Sequence, residues 1–148
     1  MQRAEAAVIT QVPMLTAGTA LRLVQAAIAH AEAQGWKIAV AVVDPMGVAL
    51  ASCRMDAVTP PIADYALDKA YTAATMRRST AAYFERMDAS PSLRLGLGNR
   101  DRLLVWGGGL AIWHGGVVVG GIGVSGAQDF EDVACAEAAL AVVGLASG

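Results

Sequence analysis

Arg54, Asp64, Lys69 and the run Trp106-Gly107-Gly108-Gly109 are the residues of this chain best suited by type to work on a small acidic ligand. Arginine presents a planar fork of donors that meets a carboxylate with two parallel hydrogen bonds. Lys69 lies beside a stripe of alanines at 63, 66, 70 and 73. Desolvation there lowers an amine's pKa and makes it a proton acceptor or a nucleophile. Asp64 and Asp68, four residues apart, share a helix face, either as an acid/base pair or as two solvated carboxylates favoured by the helix dipole. Trp106 and the glycines after it offer a flat apolar wall beside unblocked backbone amides. Arg54, Asp64 and Lys69 are therefore the expected catalytic groups. Met55, Asp56, Trp106, Gly107, Gly108 and Gly109 are the expected ligand-binding ones. Each has a plainer reading: an Arg54–Asp56 salt bridge, a lysine that snorkels or pairs with Asp64 or Asp68, an indole packed on a neighbouring subunit.

A haem iron takes an imidazole, thiolate, thioether or phenolate. His30, His114, Cys53, Met55 and Tyr71 are of the right types, but no pair of them stands out by spacing. Cys53 and Cys135 match no metal-ligand spacing and read as reduced packing thiols, so no metal site is expected. The glycines fit neither a phosphate-binding loop nor a dinucleotide fingerprint.

These residues need elements to carry them. Ala20, Leu21, Val24, Ala27, Ile28 and Ala31 recur at helical spacing between Thr16, an N-cap type, and Gly35, a stop. The apolar run Lys37 to Val43, the Asp44-Pro45-Met46-Gly47 turn and Val48 to Arg54 predict a hairpin. Alanine-rich Ile62 to Arg78 predicts a helix that carries Asp64 and Lys69. Ser79 caps a short helix over Thr80 to Met87, and Ala89 through Gly98 reads as a long irregular connection. Leu110 to Trp113 and Val117 to Val124, joined by His114-Gly115-Gly116, predict a second hairpin, followed by a helix from about Gln128 to Val143. The expected fold is α+β: an antiparallel sheet of two hairpins with helices packed on one side, in a single domain over residues 15–148 after an N-terminal arm, 1–14.

At 148 residues the chain is long enough to bury a core without staples. Only 16% of residues are charged, against roughly 25% in an ordinary soluble domain, so apolar surface is expected to remain for copies of the same chain to cover. A net charge of −2 with scattered basic residues argues against a nucleic-acid partner. The absence of a long apolar run or a leader pattern argues for no membrane partner and a cytoplasmic location.

Val40 to Asp44 with the Gly47 turn, Arg54-Met55-Asp56, Ala66 to Ala74, Gly109-Leu110 and Gly121-Ile122-Gly123-Val124-Ser125-Gly126 together resemble the GlcG/HbpS-like family, also called the haem-degrading domain family. The resemblance runs from about Leu15 to Leu140. It implies five or so antiparallel strands with helices packed against them, and homo-oligomers from dimers to octamers. Some relatives bind or degrade haem, one branch is fused to corrinoid adenosyltransferases, others sit beside glycolate metabolism, and others act as cofactor-free lyases on small aromatic hydroxylamino acids. Trp106 stands where relatives often carry a proline or small residue, and Ser125 to Asp129 lacks a proline often found there, both near the expected pocket.

The functional expectation is a small-organic-ligand protein: a cofactor-free lyase on a small aromatic or hydroxy acid. Arg54 or the loop amides would hold the substrate's carboxylate, and Lys69 or Asp64 would move protons. The alternatives are a haem- or corrinoid-binding accessory protein without turnover, with haem as its cofactor, and a structural subunit.

Overall fold

The computed structural model describes residues 6–148 and contains five helices and four strands: α1 (Ala17–Gln34), β1 (Ala39–Val43), β2 (Ala49–Arg54), α2 (Pro60–Met76), α3 (Thr80–Met87), α4 (Pro91–Leu97), β3 (Gly109–His114), β4 (Val117–Ser125) and α5 (Asp129–Val143). Residues 1–5 of the expected N-terminal arm lie outside this description. The class is α+β in a single domain. The strands form one sheet in the order β2-β1-β4-β3 with every neighbouring pair antiparallel, so each hairpin stays together and β1 and β4 are central. The resemblance implied about five strands, and the described residues form four.

Local chemistry sets the ends of α1. The Thr16 hydroxyl accepts the Thr19 amide at 3.1 Å. Gly35, with φ +77°, closes the helix in the left-handed region, its N–H donating to Glu32 O. The segment before α1 docks as well. Leu15 N donates to Val119 O at 3.0 Å and the leucine side chain is buried over Gly120.

The helices were expected on one side, but they cover both faces of the sheet. β1 is buried at all five positions, and a strand without polar alternation needs apolar cover above and below. Val40 and Val42 pack in the larger core with Leu23, Val24 and Ala27 of α1 and Cys135, Ala136 and Ala139 of α5. Ala41 and Val43, on the opposite face, pack with Ala70 and Ala74 of α2. Close approach of α2 depends on two glycines of β4. A Cβ on Gly121 would lie 2.6 Å from Ala70 O, and one on Gly123 would lie 2.1 Å from Ala66 O.

The connection after α3 also departs from expectation. Ser90 N-caps α4, and Pro91 supplies the fixed φ that suits a first helical turn, so part of the stretch read as irregular is a helix with no buried residue. No helix among the described residues is long and apolar enough to cross a membrane.

Candidate functional site

The site expected around Lys69 is built by α2, β4 and α5. Because Gly123 lets α2 press on the sheet, the Lys69 side chain is carried inward and is 1% exposed. Its ammonium donates to Val124 O at 2.9 Å and to Asp132 Oδ2 at 3.2 Å. The other oxygen of Asp132 accepts the Ala127 amide at 3.0 Å. Burial pushes the Asp132 carboxyl above the usual carboxylate range, and the Lys69 charge opposes that shift. Lys69 thus pairs with neither Asp64 nor Asp68. Its partner comes from α5, more than sixty residues away, and sequence spacing does not single it out from the other two acids, Asp129 and Glu131, in the first turn of that helix.

The glycines after Trp106 are packed and buried. A Cβ on Gly108, where φ is +127°, would meet Val124 O at 2.4 Å and the Lys69 amine at 3.0 Å. Gly109 N donates to the Thr80 hydroxyl at 3.1 Å, and a side chain there would meet Lys69 O at 2.5 Å. Gly107 lies against Asp129 and Val133. The missing side chains of Gly108 and Gly109 leave room for Lys69 and its ion pair with α5.

Trp106 sits apart, 48% exposed, with its ring edge-on to Tyr65 of α2 at 5.1 Å between centroids. The loop before it is fastened to α2. The Thr72 hydroxyl donates to Arg102 O at 3.1 Å and accepts the Leu104 amide at 2.9 Å. The Arg102 guanidinium lies 3.9 Å from the Tyr71 ring centroid and 3.5 Å from Asp68. Burial raises the Asp68 carboxyl's pKa, while its hydrogen bond and ion pair with Arg102 pull it down.

At the end of β2, Arg54 donates back to Val58 O, closing the connection to α2 instead of pairing with Asp56. Met55 is buried, its thioether accepting the Ile38 amide at 3.3 Å, and Asp56 is exposed. Arg54 and Asp64 do share a hollow of ≈ 230 Å³ with Cys53 and Leu67. Arg54, Met55 and Asp56 also line a shallower one of ≈ 220 Å³ with Glu32 and Lys37. The structure thus brings Arg54 to Asp64, and Lys69 to Gly108 and Gly109. Neither of those hollows is lined by Lys69 or Trp106.

Of the residues able to ligate a haem iron, His30 packs edge-on to Trp36 at 5.9 Å and Tyr71 lies under Arg102. Cys53 is a free, exposed thiol. His114 lines a groove of ≈ 380 Å³ whose walls include Met14, Leu15, Val119, Val143 and Leu145, with Arg22 of α1 also on its border. The groove was not foreseen, because it joins the segment before α1, the tip of the second hairpin and the segment after α5, three stretches that no local pattern connects. Its donor set suits a haem: an imidazole for iron, an arginine for a propionate and an apolar floor.

Comparison with known proteins agrees with this architecture. The chain is 35% identical over 131 residues, 88% of its length and 92% of the relative's, to an uncharacterized 15.0 kDa protein of the dhaT-dhaS intergenic region of Citrobacter freundii. A crystal structure of a double mutant of Streptomyces reticuli HbpS superposes with a TM-score of 0.85 at 33% identity, covering 97% of each chain. That of a PduOC–haem complex superposes with a TM-score of 0.82 at 25% identity, covering 90% of this chain and 98% of the other. The family model described as haem degrading protein HbpS-like matches residues 15–141, nearly the whole described fold, and the chain belongs to that family.

Proposed function

We propose that this chain is a haem-binding accessory protein whose ligand occupies the groove bordered by His114 and Arg22. One observation carries the reading: in that groove a single imidazole and a single guanidinium border an otherwise mostly apolar hollow of ≈ 380 Å³. Haem needs those three things together, an axial nitrogen, a cation for a carboxylate and an apolar surface for the macrocycle. A corrinoid, whose side chains are largely amides, gives Arg22 less to hold, so haem is the better fit. The PduOC–haem complex among the structural neighbours supports the same ligand class.

The lyase reading has less behind it. Lys69, its expected proton carrier, is 1% exposed and its ammonium is already committed to Asp132 and Val124 O. Self-association belongs to the proposal too: Val12, Met14, Leu21, Val117 and Val142 leave large apolar side chains in water, a surface that a second copy of the chain would cover.

Hemin titration followed at the Soret band tests the reading. The wild type should take up hemin with a shifted, saturable band. His114→Ala should lose the shift or bind roughly tenfold more weakly, while His30→Ala should match the wild type. Equal titrations for His114→Ala and wild type would refute the assignment, and adenosylcobalamin binding more tightly than hemin would refute the choice of ligand.

A further inference from the structure

A larger cavity, ≈ 450 Å³, lies along the outer edge of β3, between α5 and the junction of α2 with α3. Arg77, Arg78, Leu110, Trp113, Val133 and Glu137 line it, and it has no part in the haem reading. Arg77 and Trp113 also border an adjoining hollow of ≈ 300 Å³, so these two side chains form a shared wall. β3 is an edge strand of the sheet, but at Trp113 its backbone pairs with Ala146 of the segment after α5, N to O 2.9 Å, and the indole, with Gly148 beside it, is half-buried.

The charges are unusual for a surface with so few. Among the described residues, neither Arg77 nor Arg78 has a carboxylate at ion-pair distance. Arg77 holds its position with φ +57°, a conformation that L side chains seldom adopt, as the residue that ends α2. Glu137 and Gly148, whose α-carboxylate is a second anion, border the same cavity, and neither pairs with either guanidinium.

We propose that this cavity is a second ligand site, for a small carboxylate with a flat apolar body. The carboxylate meets the guanidiniums of Arg77 and Arg78, which both line the cavity, and the body lies against Trp113, Leu110 and Val133. The volume falls in the range of roughly 300–1,000 Å³ usual for small-molecule sites. Glu137 repels a second anionic group and excludes dicarboxylates whose far end reaches it.

Titration calorimetry with sodium benzoate as probe decides the matter. Benzoate should bind saturably with one site per chain, and benzamide, the same shape without the charge, should not. Arg77→Gly, a change the left-handed backbone accepts, and Arg78→Gln should each weaken benzoate roughly tenfold or more. Glu137→Gln should tighten it, because a like charge is removed. Neither arginine variant should melt below the wild type, and both should take up hemin unchanged. No saturable benzoate heat at millimolar concentration, equal binding of benzamide, or unchanged affinity in both arginine variants would overturn the proposal. So would joint loss of benzoate and hemin in either variant, since that would make the two sites one.

Discussion

Replacing Lys69 by methionine removes one charge from a dry site and leaves its shape nearly intact. Asp132 then keeps only the Ala127 amide, and both its Oδ2 and Val124 O lose a donor that stood at 3.2 and 2.9 Å. Breaking a buried pair in this way costs about 3–5 kcal/mol, because the remaining charge has no partner. In a domain of this size that lowers Tm by roughly 10 °C or more. The pH dependence has a definite sign. Asp132 already titrates above an unfolded carboxylate, so the folded state binds more protons than the unfolded state between the two pKa values, and stability falls as pH rises through that window. Without Lys69 the shift grows, and the deficit of Lys69→Met relative to wild type should be large at pH 7 and shrink toward pH 4. The double variant Lys69→Met with Asp132→Leu should recover to within about 1 kcal/mol of wild type, or exceed it. Urea unfolding at both pH values, with slopes compared to check two-state behaviour, measures all three quantities. A deficit below about 1 kcal/mol for Lys69→Met, or one that does not change with pH, would show that the ammonium is not the isolated partner of that carboxylate.

Other outcomes follow from packing and burial. Gly123→Ala should destabilise by about 3 kcal/mol or more in thermal melts, since its methyl would sit 2.1 Å from Ala66 O and push α2 off the sheet. Gly18→Ala, in the first turn of α1 with nothing within 4 Å, should instead stabilise by roughly 0.5–1 kcal/mol. Native protein should expose one thiol to a disulfide reagent at pH 8, that of exposed Cys53, and two after denaturation, because burial pushes the Cys135 thiol up to about 11. Since the unfolded thiol ionises near 9.0, stability should decline between about pH 9 and 11, by up to about 3 kcal/mol, and Cys135→Ala should remove that part of the decline.

Much of this fold is legible in the residues because its signals are local. Thr16 and Gly35 bound α1, the Pro-Met-Gly turn and the His-Gly-Gly turn make hairpins, and alanine-rich stretches make helices. The helix count on each face was harder to see. The five-residue apolar run of β1 carries the information, since a strand without alternation needs cover on both sides, but the run does not say which helix supplies each. α4 escaped because glycines 96 and 98 masked a Ser-Pro start. The site was less legible still. Lys69 drew notice for the alanines around it, which do bury it, yet the carboxylate that decides its chemistry arrives from α5 through tertiary packing. Gly107 to Gly109 drew notice as donors to a ligand, whereas two of them give room to that same lysine. The His114 groove depends on Leu15 lying along β4 and on Leu145 returning to the second hairpin, contacts with no signature in the chain.

Thr72 holds the chain between Arg102 and Leu104 to the middle of α2 with one hydroxyl that donates one hydrogen bond and accepts another. Four residues beyond Arg102, the indole of Trp106 leans on Tyr65, nearly two turns earlier on the same helix. Helix and loop are therefore tied at two places. Motion of α2 that shifts Tyr65 should register in the emission of Trp106 even when the cause lies elsewhere in the protein.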